Sequence, residues 1–156
     1  MSFRTVTIFI LALTLPVPGW ASSHFNLLDF KKSTIEVVGR DKIYKFKVEL
    51  ALTPPQQSMG LMFRRFVAAD AGMLFVYNRA STITMWMKNT FVPLDIIFIR
   101  SDGRIHRIAE RTVPLSETRI FSGMPVTAVL ELNGGTVERL GIKVGDRVQG
   151  PALQAN

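Results

Sequence analysis

Hydrophobic and polar residues alternate most regularly at residues 43–50, IYKFKVEL, where every second side chain after the first is apolar. Because successive side chains of a strand point to opposite faces, this pattern predicts a half-buried antiparallel strand. Residues 34–38 predict its partner, with a turn at 39–41 between them. Apolar runs bounded by glycine or polar turns predict the other strands, at 72–77, 82–88, 95–100, 104–112, 126–132 and within 141–148.

One segment, residues 53–66, has the period of a helix instead. Thr53 suits the N-cap position, prolines follow it, and Gln56 completes a capping box. The apolar residues of the segment recur at helical spacing, as Met59, Met62, Phe63 and Phe66. A second, much shorter helical turn is predicted at 136–140.

About eight strands and one good helix define a mainly β (α+β) protein. We predict a compact antiparallel β-barrel or sandwich with the 53–66 helix packed across it. A hydrophobic content of 47% is enough for the core of one domain of this length. We place that domain at 34–150, between flexible segments at 22–33 and 151–156.

The first 21 residues predict a signal peptide. Arg4 is their only charged residue, residues 5–15 are apolar, and Gly19 and Ala21 occupy the small positions that a signal peptidase requires. The apolar stretch is shorter than the roughly 20 residues of a membrane-spanning helix. We therefore expect cleavage after Ala21 and an exported, periplasmic protein without a stable membrane span. An uncleaved N-terminal anchor is the alternative.

Composition narrows the classes of function. The chain has no cysteine, which excludes disulfides, thiol nucleophiles and thiolate metal sites. Its formal net charge is +7, but the lysines and arginines are scattered and no run of them reaches four. This pattern indicates a solvated surface, and with no nucleic-acid-binding motif we expect no nucleic-acid partner. We also expect no cofactor, and the sequence leaves the oligomeric state open.

A polar cluster interrupts the apolar pattern at residues 86–95. In the strand 82–88, Trp86 and Lys88 share one face, and Asn89 and Thr90 follow in a loop that leads to Asp95. We predict a binding site here for a small molecule or a cell-envelope ligand. Its ligand-binding residues are Arg64, Trp86, Lys88, Asn89, Thr90 and Asp95.

Each residue type in this cluster has a role in recognition. Lys88 supplies charge, Asn89 and Thr90 supply hydrogen bonds, and Trp86 supplies an apolar or stacking wall. The alternative is purely structural, with a turn at Asn89 and Thr90 and an ion pair between Lys88 and Asp95.

Glu131 is the second unusual polar residue. It lies within the apolar run of the strand 126–132, where an unpaired charge is costly. One interpretation is a structural salt bridge with Lys88, Arg64 or Arg65. Another is a hydrolytic enzyme in which Asp95 or Glu131 is the general base, with Lys88 as a further catalytic candidate.

Methionines suggest a third hypothesis. Met85 and Met87 are neighbours on one face of the strand 82–88, and thioethers suit Cu(I). Methionine is more often a filler of the hydrophobic core, so Cu(I) handling by these two residues is the weaker alternative to a metal-free site.

Five groups of residues, in order, resemble the bacterial and archaeal family called domain of unknown function 192. They are residues 60–64, 72–75, 86–90 with 93–96, 129–131, and 141–142 with 145–146. The chain departs from the family pattern at Met59, Met85 and Arg100, where the family often has an arginine, an aromatic and an acidic residue. The resemblance implies one small, mostly β domain, often exported, and no established activity.

Overall fold

The computed structural model describes residues 29–154. Within them, in chain order, are β1 (Lys31–Val38), β2 (Ile43–Ala51), α1 (Pro54–Met59), β3 (Ala71–Met85), β4 (Leu94–Ile99), β5 (Ile105–Ala109), β6 (Ile120–Asn133), α2 (Thr136–Leu140), β7 (Arg147–Gln149) and a 3-10 turn (Pro151–Leu153). The predicted signal peptide and its cleavage site after Ala21 lie outside the described residues. Across 29–154, no helix has both the length and the apolar character needed to cross a membrane.

The seven strands of the described chain form one barrel-shaped sheet in the order β5-β4-β6-β3-β2-β1-β7. Neighbouring strands are antiparallel except β2 and β3, which are parallel. The two edges of the sheet meet, since the Ile105 N–H donates to the Asp146 carbonyl and the Val148 N–H donates to the Gly103 carbonyl, both at 2.8 Å. The sheet therefore almost closes, which confirms the predicted mainly β barrel.

Apolar side chains pack on both faces of this sheet. The inner core fills the barrel and takes residues from all seven strands, with Ile97 of β4 and Leu130 of β6 among them. The outer core lies on the opposite face, where Leu61 and Met87 help to cover Phe75 and Phe98. Burial of each such large side chain contributes roughly 1.5–3 kcal/mol to stability. Because both faces of β4 are buried, residues 96–99 form a continuous apolar run in the sequence.

Several strand boundaries differ from the prediction: β5 (Ile105–Ala109) is shorter than predicted and β6 (Ile120–Asn133) is longer. The predicted strands 72–77 and 82–88 merge into one strand, β3, which ends at Met85 and so leaves residues 86–88 outside it. Its register against β6 shifts between Val76 and Ser81 and again before Thr84. Exposed polar residues at this irregular stretch interrupt the apolar pattern, so there are seven strands instead of eight. Residues 31–33 of the predicted flexible segment belong to β1, and residues 151–153 of the predicted tail form the 3-10 turn.

The predicted helix 53–66 is wrong in length, although its beginning is confirmed. α1 ends at Met59 because Gly60 (φ 50°) and Phe63 (φ 63°) have positive φ angles, which a right-handed helix cannot contain. A Cβ atom at Gly60 would lie 3.2 Å from the Phe75 ring, so the turn packs closely on β3. As a result Phe63 and Phe66 are 57% and 76% exposed instead of continuing a buried stripe. The short turn 136–140 is confirmed as α2.

Gln56 holds the start of α1 with three hydrogen bonds. Its Oε1 accepts the N–H groups of Leu52 (2.9 Å) and Thr53 (3.1 Å), and its Nε2 donates to the Asp29 carbonyl (3.0 Å). We expect Gln56→Ala to lower the free energy of unfolding by about 1–2 kcal/mol, since it leaves part-buried donors unpaired. Urea denaturation would measure this. Thr118→Ala, at an exposed position, is the control, and equal stability of the two variants would contradict the prediction.

Candidate functional site

A cavity of about 580 Å³ opens on the outer face of the sheet, between α1 with its following turn and the second half of β3. Its walls are mostly apolar and rich in thioethers and aromatic rings, from Met59, Leu61, Met62, Phe75, Met85 and Trp86. Polar groups reach it from Tyr77, Thr82, Thr84, Thr90, Arg119 and Glu131. This volume and this mixture are typical of small-molecule sites.

Glu131 is the most unusual group in this cavity. On β6 it lies directly opposite Met73 of β3 and Ile96 of β4, so its side chain enters the outer core. It is 4% exposed, and its Oε2 has no hydrogen-bond partner among the residues that the structure describes. Burial raises the pKa of the Glu131 carboxyl to about 8. At neutral pH the group is therefore mainly a neutral carboxylic acid next to the cavity.

Tyr77 contributes a hydroxyl to the same cavity. Burial, and secondarily the nearby Glu131 charge, raises the pKa of Tyr77 to about 12. The phenol therefore keeps its proton at every physiological pH and is available as a hydrogen-bond donor. Sequence reasoning did not select Tyr77, because a tyrosine at the end of an apolar strand has no distinguishing pattern.

Asp95 does not line this cavity. It is fully buried, and its Oδ1 accepts the N–H groups of Arg111 (2.8 Å) and Gly135 (3.0 Å), while its Oδ2 accepts that of Val137 (2.8 Å). The carboxylate thus ties β4 to the segment after β5 and to the first turn of α2. The register of β4 pairs Ile96 with Glu131, so the neighbouring Asp95 points to the opposite face of the sheet. The two carboxyl groups do not share a site.

The other predicted ligand residues divide into two groups. Trp86 and Thr90 line the cavity. Arg64 instead forms a bidentate pair with Glu49 at 3.0 and 2.7 Å, and Lys88 lies 3.9 Å from Glu117.

Lys88 and Asn89 have local structural contacts beside the cavity. The Lys88 ammonium lies 5.2 Å from the centre of the Trp86 ring, a cation–π distance. Asn89 takes a left-handed conformation (φ 56°), and its carbonyl accepts the Phe63 N–H at 2.8 Å. Asn89 thus joins the loop 86–91 to the turn after α1, while Lys88 lies against Trp86.

Met85, the last residue of β3, and Met87, two residues later, have different surroundings. Met85 lines the cavity together with Met59 and Met62. Met87 is 1% exposed in the outer core, where its sulfur lies 3.0 Å from the Thr112 hydroxyl. The described residues contain no group of three or more His, Asp or Glu side chains arranged to hold a metal ion. Cu(I) binding by Met85 and Met87 stays a prediction.

The fold and site define a class: a small, mainly β domain with a barrel-shaped sheet and one buried acid in an outer-face cavity. The chain belongs to the DUF192 family, described as an uncharacterised ACR, which matches residues 35–150. This confirms the family resemblance seen in the sequence motifs. No curated protein matches the chain.

Two crystal structures are similar to this fold. One, from Sinorhizobium meliloti 1021, is of a protein proposed to be a transcription regulator; it is 47% identical with a TM-score of 0.77, over 79% of this chain and 96% of that chain. The other is a protein of unknown function from Novosphingobium aromaticivorans DSM 12444. It is 42% identical with a TM-score of 0.76, over 80% of this chain and 89% of that chain.

Proposed function

We propose that this domain is a binding module for a small molecule that enters the outer-face cavity. The observation that carries the proposal is Glu131, whose Oε2 is buried without a partner in the described chain. Leaving a buried polar atom unpaired costs about 1–3 kcal/mol, and such atoms are rare enough in folded proteins to need an explanation. A ligand that binds Glu131 would offset this penalty.

The rest of the cavity supports a largely apolar ligand with a few polar groups. Trp86 supplies a flat wall, and Met59, Met62 and Met85 supply flexible, polarisable contacts that adapt to an irregular shape. Tyr77 and Thr90 offer hydroxyl groups at the side of the cavity. The site therefore selects by shape and by one buried acid.

The binding test is a thermal-shift screen of the domain against cell-envelope sugars, nucleotides, small apolar amines and alcohols, and Cu(I). We expect Glu131→Met, which keeps the volume but removes the hydrogen bonds, to weaken binding of the hits about 5- to 100-fold. Glu110→Gln, at an exposed acid outside the cavity and away from Lys88, is the matched control. Hits that bind Glu131→Met as tightly as the parent protein would overturn the proposal.

A second candidate is a hydrolytic enzyme, favoured by the raised pKa of Glu131. An acid that holds its proton near neutral pH is suited to general acid–base work. The version that pairs Asp95 with Glu131 does not fit, because their side chains are on opposite faces of the sheet. An esterase and glycosidase activity panel, repeated with Glu131→Gln, tests this candidate. Turnover that survives the substitution would exclude Glu131 as its acid or base.

We further propose that the module works outside the cytoplasm, with its leader removed after Ala21. The apolar stretch at 5–15 and the small residues before the cut support this location. N-terminal sequencing of the protein from a periplasmic fraction is the test, and Ser22 is the expected first residue.

We also propose no nucleic-acid partner, although one similar structure is of a protein proposed to regulate transcription. The support is that the lysines and arginines are scattered, with no run of four, and that some of them are paired with carboxylates, as Arg64 is with Glu49 and Arg111 with Glu138. A gel-shift assay at low salt tests the proposal, and salt-sensitive DNA binding would contradict it.

A further inference from the structure

The inference rests on the proposed function and concerns the class of ligand that the cavity takes. Glu131 is surrounded by uncharged groups, with Met73 and Ile96 beside it on the sheet and Phe75 on the cavity wall. In the described chain no lysine, arginine or histidine nitrogen lies within 4.0 Å of its carboxyl oxygens. Burial is the only cause that shifts its titration. The carboxyl thus lacks a cationic partner from these residues.

A neutral hydrogen-bond acceptor would not need a carboxyl group in this place. Thr82, Thr84 and Tyr77 already bring hydroxyl donors to the cavity, and a hydroxyl is much less costly to bury than an acid. What Glu131 adds to these groups is the capacity to become negatively charged when a cation arrives.

The walls of the cavity are also suited to a cation. The Lys88 ammonium lies 5.2 Å from the ring centre of Trp86, so this indole already interacts with one cation of the protein, and a ligand cation would use the part of the ring that lines the cavity. Trp86 also lines the cavity, with Tyr77 and Phe75 as further aromatic walls. Aromatic rings combined with one carboxylate are a recurrent means of holding an organic ammonium group.

We infer that the cavity binds an organic amine, as its ammonium form, with the Glu131 carboxylate as counter-ion. Arg119 also lines the cavity, and it repels a second positive charge. The ligand is therefore a monoamine with an apolar body, not a polyamine. Arg119, Tyr77 and, over the Trp86 ring, Lys88 are the other titratable groups near the site, and the raised pKa of Tyr77 keeps its phenol protonated at neutral pH.

Binding of this ligand exchanges one proton. The ammonium group enters with its charge, Glu131 ionises to pair with it, and the carboxyl proton leaves to solvent. Since Glu131 is mainly protonated at pH 7, about 0.9 proton should be released for each ligand bound. The affinity should rise up to about tenfold per pH unit below pH 8 and then level off, until the amine itself loses its charge.

The experiment compares 2-phenylethylamine with 2-phenylethanol, its uncharged analogue, by isothermal titration calorimetry in two buffers of different ionisation enthalpy. We expect the amine to bind at least about tenfold tighter at pH 7, with proton release close to one, and the alcohol to release none. Glu131→Gln should keep binding the alcohol and lose both the amine preference and the proton release. Glu110→Gln, at an exposed acid outside the cavity, should behave like the parent protein.

The outcomes separate the inference from the proposed function. If the alcohol binds as tightly as the amine and neither releases a proton, the amine inference fails while a binding cavity remains. If neither probe binds and the wider screen gives no hits, both fail. Proton release is measured on the parent protein, so the test holds even if Glu131→Gln does not fold.

Discussion

Replacing Asp95 by alanine should lower the free energy of unfolding by about 3–5 kcal/mol, because it removes a buried acceptor from three backbone donors. The N–H groups of Gly135 and Val137 begin the turn that becomes α2, so this turn loses its attachment to the sheet. Urea denaturation would measure the change in stability. Hydrogen exchange should show faster exchange at residues 135–141.

Two variants make this prediction specific. Asp95→Asn keeps one oxygen as an acceptor and should have an intermediate effect of about 2 kcal/mol. Asp102→Ala is the matched control, since Asp102 also accepts a backbone N–H, from Arg104 at 3.1 Å, but at the surface. It should lose less than about 1 kcal/mol. If Asp95→Ala lost as little stability as this control, the Asp95 carboxylate would not be what attaches α2 to the sheet.

The second large effect is a loss of stability as the pH rises. The Glu131 pKa is about 8 in the folded protein against 4.5 for the free group, so between these values the folded state binds more protons than the unfolded state. The stability contribution of this group is therefore fully present below about pH 4.5 and is lost as the pH rises to about 8. The linkage relation gives a total of about 4–5 kcal/mol.

Glu131→Gln isolates this contribution. The amide does not titrate, so the free energy of unfolding of Glu131→Gln should depend on pH only through the other groups. The parent protein should therefore lose stability steadily relative to this variant from pH 5 to pH 8. Chemical denaturation at pH 5, 6.5 and 8 would measure it. Parallel pH profiles for the two proteins would show that Glu131 titrates normally and would remove the main support for a buried neutral acid.

The fold was largely predictable from residue patterns because those patterns are local. Alternation at 43–50 gives β2, and the Thr53–Gln56 capping box gives the start of α1. The burial of Met85 and Met87 and the exposure of Trp86 confirm the predicted faces of 82–88. The length of α1 was not predictable in this way, because it depends on tertiary contacts: Gly60 packs against Phe75, and the Phe63 N–H donates to the Asn89 carbonyl.

The site was predictable only in part, for a different reason. Asp95 has the sequence pattern of a functional residue, a polar side chain after an apolar loop, yet its partners are backbone N–H groups that no side-chain pattern reveals. Glu131 was identified as unusual from its apolar neighbours. Its lack of a partner depends on how the turn after α1 leaves a cavity over β3 and β6, which is tertiary information.

The pairing of β1 with β7 has a consequence for the use of this domain as a building block. Glu36 lies opposite Gln149, and Gly150 packs against Ile35, so the first and last strands of the described chain are side by side. A short linker from residue 154 to residue 31 should therefore allow circular permutation, with new termini at an exposed turn such as 40–42. For the same reason the whole barrel is suited to insertion into a surface loop of another protein. The two loop residues that join its ends can lie close together.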